Sequence, residues 1–322
     1  MEVRTTSTRD VLLLVVATVL GTALTSSVAV FGLPIAAAGI AGLTYRGRGI
    51  IAAAAAGFGI VFASFLMPGG AFYAAPIMLA VVLAVALLPK VSFQVVAGSL
   101  IGVFALVGAG FDVLAARAAG TTLPAQITEQ TKLITAGLIK SLGANAPADL
   151  AAQMTQATTF IASSWPSTYF QSAVFLAVLV VAAIAWAARR AGVSLDIPAL
   201  SRLDITPHVL WVFVAGVFLV ASSYGSFSAS GTLGVMGLNL VLCARALFFL
   251  QGIGVAAGVL DRAGVGLGGR ILGLAALAAL DVFTLAISFS GLLDFWINFR
   301  RLPRDGEIPA APVEPVEPSR RW

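Results

Sequence analysis

Apolar runs long enough to cross a bilayer recur along this chain almost from end to end. The first occupies residues 11–30 and carries no charge. A shorter run follows at 32–43, and others at 50–67, 71–88, 91–116, 170–188, 208–224, 233–260 and 271–297. In hydrocarbon every backbone amide must be satisfied within its own segment or sheet, so repetition of long apolar runs points to helices rather than loops or open strands. The chain is 59% hydrophobic over 322 residues, which is more apolar surface than one soluble core of this length would bury. At about 20 apolar residues per crossing, the supply allows at most about nine spans. The expected fold is all-α, a polytopic transmembrane helical bundle of about eight or nine spanning helices, eight if 32–43 is only a half-helix.

Positive charge is placed beside these runs. The net charge of +5 would suit nucleic acid, yet the arginines flank apolar segments, where cytoplasmic loops carry them. With the N-terminus inside, Arg46, Arg48, Lys90, Arg189, Arg190, Arg202, Arg262 and Arg270 all fall on the cytoplasmic side. The expected partner is therefore the lipid bilayer and not nucleic acid, with the chain a multi-pass protein of a bacterial inner membrane. Nine crossings would put Arg300, Arg301 and Arg304 outside and eight would put them inside, which leaves the side of the C-terminus open. Arg4 and Arg9 before the first run resemble a secretory signal, with Ser27-Val28-Ala29 as a passable cleavage site. The polytopic sequence that follows favours an uncleaved signal-anchor helix.

Pro68-Gly69-Gly70 and Pro89-Lys90 mark turns between crossings, because proline removes a donor and glycine loosens the backbone. One non-spanning stretch interrupts the pattern. Ile127, Ile134, Leu138 and Leu142 recur at helical spacing opposite Glu129, Lys132 and Lys140, and Leu150, Met154, Ala157 and Ile161 do so again. With a turn at Gly143, Asn145 and Pro147, this stretch is expected to form an amphipathic interfacial hairpin outside the membrane. The organisation reads as N-terminal transmembrane helices at 1–120, the hairpin at 121–166, C-terminal transmembrane helices at 167–301 and a disordered proline-rich tail at 302–322.

One cysteine (Cys243) and one histidine (His208) cannot build a histidine/cysteine metal cluster, so no metal or cofactor is expected. Ionisable residues inside a bilayer are costly, which makes each one a functional candidate. Arg245 and Asp281 lie well inside successive helices and are expected either to form a structural ion pair or to reach a polar ligand site with Asn239 and Gln251. Asn239 and Gln251 each stand six residues from Arg245, about 240° around the helix, so the three share no narrow stripe. Asp112 lies near its helix end with Arg117 five residues on, which suits snorkelling to the interface. Asp281 and Asp294 are about 19 Å apart on one helix, too far to share a proton as an aspartyl protease pair does. No serine or cysteine is placed for His208 to activate, and the loop Gly264, Gly266, Gly268 and Gly269 lacks the strand and the Lys-Ser/Thr of a phosphate cradle. The chain is therefore not expected to be an enzyme.

Small residues four apart, Ala17 with Gly21 and Ala53 with Gly57, mark candidate helix-packing faces. Asp294, Trp296 and Arg300 near a helix end suit an interfacial anchor, with Asp294 bridging to Arg301 or Arg270.

Pro207-His208-Val209-Leu210-Trp211, Gly237-Leu238-Asn239, Phe248-Phe249-Leu250-Gln251-Gly252 and Gly291-Leu292-Leu293-Asp294-Phe295-Trp296-Ile297-Asn298-Phe299-Arg300 together resemble the YybS-like family of bacterial membrane proteins. That family is defined by a domain of unknown function, and the likeness runs from Met1 to about Arg301. Residues 11–68 also resemble the start of S-components of energy-coupling-factor transporters, through Leu33-Pro34-Ile35, the Gly42-Leu43-Thr44-Tyr45-Arg46-Gly47 turn and a small-residue third helix. That likeness implies that Ala17 and Gly21 dock a transmembrane coupling subunit. The expected function is a small-molecule-binding or transport-related membrane component. The alternative is a non-catalytic membrane scaffold or assembly factor for a cell-envelope complex. Without an ATP-binding loop in the chain, active transport would need other membrane subunits, an ATPase module or a coupled ion.

Overall fold

The computed structural model describes residues 7–142, 150–225 and 231–302. Among these residues the regular structure is helical, with no strand. The elements are α1 (Thr8–Thr25), α2 (Ala29–Thr44), α3 (Gly49–Leu66), α4 (Gly70–Leu87), α5 (Phe93–Ala118), α6 (Leu123–Leu142), α7 (Leu150–Arg190), α8 (His208–Gly225), α9 (Thr232–Arg262), α10 (Leu267–Thr284) and α11 (Ala286–Ile297), with a 3₁₀ turn at Leu200–Arg202. Of the described helices, seven are long and apolar enough to cross a membrane: α1, α3, α4, α5, α7, α9 and α10. The helices α2, α8 and α11 are apolar but shorter. The all-α polytopic architecture expected from the apolar runs is the one observed.

The chain divides into two compact units, one of residues 1–198 with 208–247, the other of residues 199–207 with 248–322. In the first unit α2 is the central element. Leu33, Ala36, Ala37, Ile40, Ala41 and Leu43 are fully enclosed, with α1, α3, α4 and α7 packed around them. Packing this close needs small side chains, because hydrocarbon gives apolar helices no hydrophobic incentive to associate and van der Waals fit must supply it. A Cβ on Gly21 would collide with the Ala36 backbone, and one on Gly32 with that of Thr25. The bulky apolar residues face outward instead, with Phe65, Leu106 and Phe218 more than two-thirds exposed, as a lipid-facing surface requires.

Gly21 thus packs within the chain, and Ala17 is partly buried beside it. The α3 face does not follow the expectation. Ala53 and Gly57 are exposed, and the buried face is Ala52, Ala56, Gly59 and Ala63. Gly59 decides the register, because a side chain there would strike the Thr22 Cβ and the Val19 carbonyl of α1.

Two other expectations change. The second amphipathic helix and the span after it form one continuous α7, since no helix-ending turn separates them and Pro166 alone does not stop the helix. The run 271–297 is not one helix. It breaks at Leu285, which adopts a left-handed backbone (φ 56°) between α10 and α11. The α6 half of the hairpin is present, with Leu133 and Ile134 well exposed. The turn expected at Gly143, Asn145 and Pro147, and the proline-rich tail beyond Leu302, lie outside the described residues.

Candidate functional site

In the first unit, α5 carries a carboxylate into an otherwise apolar span at Asp112. The side chain does not turn toward Arg117, which stands about 140° further around the helix and is exposed. It accepts a hydrogen bond from the Tyr169 hydroxyl of α7. Gly108, one turn before Asp112, makes this contact possible, because a Cβ there would lie 3.3 Å from the Tyr169 ring. Among the described residues no lysine or arginine is within ion-pair range of Asp112.

Asp112 and Tyr169 line a cavity of about 300 Å³, together with Ser26, Met67, Tyr73, Phe104 and Phe111. Phe111 and Tyr73 meet edge to face with ring centres 5.3 Å apart, and Trp165 packs edge to face on Tyr169 at 5.9 Å. Gly69 starts α4 in a left-handed conformation (φ 75°) and lets the Phe111 ring approach to 3.2 Å of where a Cβ would sit. The cavity wall is therefore mostly aromatic and aliphatic, with the Asp112 carboxylate bonded to one of its two tyrosine hydroxyls and with Ser26 and Ser172 as further polar groups, the composition of a small-molecule pocket. Ser26 and Met67 come from the α1–α2 and α3–α4 turns, so the cavity lies toward the end of this unit opposite the turns that bear Arg46, Arg48 and Lys90.

The residues singled out in the sequence lie elsewhere. Asn239 of α9 is engaged with α7. Its Oδ1 accepts from the Ser167 N–H at 3.0 Å, and its Nδ2 donates to the Ser163 carbonyl at 2.9 Å and to the Val235 carbonyl at 2.8 Å. Ser163 and Ser167 form the helical rung beside Pro166, whose ring crowds the preceding turn. The Asn239 carboxamide bridges that rung. Arg245 lies on the portion of α9 in the first unit, and Asp281 on α10 in the second. Asp281 is buried, and its two oxygens accept from the Ser288 N–H at 2.8 Å and the Ser288 hydroxyl at 2.7 Å. It thereby serves as a cap for the N-terminus of α11 across the break at Leu285, where unsatisfied amides and the helix dipole both favour a carboxylate.

Gln251, Asp294 and Arg300 come together in the second unit. Fully buried Gln251 donates to Asp204 at 2.9 Å and Asp294 at 3.1 Å and accepts from the Ile205 N–H at 3.0 Å. Arg300 donates to Asp294 through Nε at 3.1 Å and a terminal nitrogen at 2.8 Å, and also reaches Asp204 at 3.3 Å and the Leu203 carbonyl. Asn298 sets this up. It ends α11 in a left-handed conformation (φ 48°), which asparagine tolerates better than most residues, and its side chain clamps both the N–H and the carbonyl of Leu302. The chain reverses there and carries Arg300 back onto Asp294. Gly254 leaves the room, since a Cβ there would sit 3.1 Å from the guanidinium.

The headgroup anchor expected of Asp294 and Arg300 is therefore replaced by a buried ion pair, while Trp296 is exposed. Arg270 is occupied with Asp261. This clasp binds the 199–207 segment to α9 and α11, with its charged groups engaged with one another. The Asp112 cavity has space, and sequence reasoning passed over it. The signal available was a charged residue in a span with a glycine one turn before it, but nothing in the sequence brought Tyr169 to the same place.

A family model described as a predicted membrane protein (DUF2232) matches residues 11–295. No curated protein and no solved structure matches the chain.

Proposed function

The chain belongs to the DUF2232 family of predicted membrane proteins, and on that premise we propose that it is a small-molecule-binding membrane component whose ligand occupies the cavity between α4, α5 and α7. The observation that carries this reading is Asp112, a carboxylate placed in a membrane span and lining about 300 Å³ of space. An ionisable group is retained at such a position when it has work to do. We infer binding rather than catalysis, because the described lining residues offer one carboxylate, two tyrosines and two serines among aromatic and aliphatic groups, with no histidine, lysine or second carboxylate beside them to serve as a base.

The proposal extends to a transport role in a bacterial inner membrane, with the N-terminus cytoplasmic. Positive charge at the α2–α3 and α4–α5 turns supports that orientation, and the cavity then lies toward the non-cytoplasmic side, where a solute would be captured. The likeness to transporter S-components and to YybS-like proteins is part of the same reading, in which a coupling subunit and an ATPase supply the energy. A scaffold role is the second reading, and the exposed Leu133 and Ile134 of α6 favour it.

The deciding experiment is purification of the full chain from native membranes in mild detergent, with mass spectrometry of co-purifying proteins and extracted small molecules, for the wild type and for Asp112→Leu. A near-stoichiometric metabolite that is depleted in Asp112→Leu is expected. Envelope assembly proteins without any metabolite would overturn the binding reading in favour of the scaffold.

A further inference from the structure

The cavity selects a charge type as well as a size. Asp112 has no cationic partner among the described residues, and the cavity it lines also carries the Tyr169 hydroxyl, Ser26, Ser172 and the rings of Tyr73, Phe104 and Phe111. A carboxylate held in a span without a counter-charge is expensive, and a bound cation removes that cost. Which cation follows from the other walls. A hard metal ion needs six or more oxygen ligands in the case of calcium, or a near-octahedral set for magnesium, and no group of three acidic, histidine or cysteine residues able to hold one occurs among the described residues. Aromatic faces instead attract weakly hydrated organic cations, and the attraction grows when water is excluded.

We propose that the cavity takes an organic cation, an amine in its protonated or quaternary form, paired with the Asp112 carboxylate and faced by the Tyr73, Phe111 and Tyr169 rings. This rests on the ligand-binding reading and adds the ligand class to it. Tyr169 positions the carboxylate, its hydroxyl donating to one oxygen and leaving the other for the ligand. An anion is repelled by the same group, and a neutral ligand leaves the carboxylate uncompensated.

Two measurements on the full chain in detergent test this. The first compares choline with its uncharged isostere 3,3-dimethylbutan-1-ol by calorimetric titration at neutral pH, alongside tetramethylammonium and butylamine. At least one cation is expected to bind, choline at least tenfold more tightly than the isostere if it is the one, with a tenfold or greater loss in Asp112→Asn. Asparagine still accepts from Tyr169 and removes the uncompensated charge, so that variant should unfold at or above the wild-type temperature, and loss of binding then reports charge and not misfolding. The second identifies the small molecule extracted from the natively purified protein. A cationic amine supports the proposal. A neutral or anionic metabolite, or an isostere that binds as well as choline, overturns the cation assignment while leaving the binding reading intact. No extracted metabolite together with no binding by any probe overturns both.

Discussion

Asp294 and Arg300 show how a residue's role is set by the backbone between it and its partner. Six positions apart on a continuous helix they would point about 120° apart, onto different faces that no single partner could join. The left-handed Asn298 folds Arg300 back, and the pair becomes one of the most enclosed groups in the second unit. Breaking such a pair strands a buried charge. Arg300→Met is expected to cost about 3–5 kcal/mol, and Arg300→Met combined with Asp294→Asn to cost clearly less than the single change, because the stranded carboxylate is then gone. Denaturant unfolding in detergent, monitored by tryptophan fluorescence, measures both; equal losses in the single and double variants would refute the account. The residue types of this site were legible in the sequence, since charged groups in an apolar run demand a reason. Their arrangement was not, because it depends on one residue's left-handed φ and on the Asp204 loop far away in sequence. Asp112 was legible in the same limited way: its cost was visible, but the 57-residue separation from Tyr169 hid its partner.

At the scale of elements, α7 and α9 are coupled through a defect. Pro166 disturbs the helical ladder, and the Asn239 carboxamide bridges Ser163 and Ser167 at the disturbed rung. Asn239→Ala is expected to destabilise the protein by about 1–3 kcal/mol, the cost of leaving buried backbone groups unsatisfied. In a Pro166→Ala background the helix can close its own Ser163–Ser167 bond, and the same Asn239→Ala change should then cost markedly less. A double-mutant cycle in unfolding free energy reads this coupling, and simple additivity would show that Asn239 does not compensate for the proline. Hydropathy made the helices themselves legible, because each span must be apolar along its length. It could not distinguish a straight helix from a broken one. The two halves of 267–297 are both apolar, and the break at Leu285 is held by Asp281 capping α11, a tertiary arrangement with no periodicity of its own. The continuity of α7 was hidden for the opposite reason: its polarity changes near Pro166 while its backbone stays helical.

At the scale of the whole molecule, orientation decides which compartment the cavity serves. The turn before α3 carries Arg46 and Arg48 and the turn before α5 carries Lys90, so these charges share one end of the antiparallel helices α1–α5, while Ser26 and Met67 place the cavity toward the other. The proposed orientation keeps positive charge on the side from which the chain is inserted, and under it the cavity lies toward the outside. Cysteine labelling with a membrane-impermeant maleimide tests this in cells, in a chain whose Cys243 is replaced by alanine. Ser92→Cys precedes α5, and Glu129→Cys lies on α6 just beyond its far end; both positions are exposed. The expected outcome is labelling of Glu129→Cys in intact cells and of Ser92→Cys only after the membrane is opened. The reverse pattern would turn the molecule over, make the cavity a site for a cytoplasmic ligand and remove the argument for solute capture from outside. Labelling of both positions from one side would mean that α5 does not cross, and the cavity built on it would then no longer sit within a span, taking with it the reason that Asp112 must be compensated.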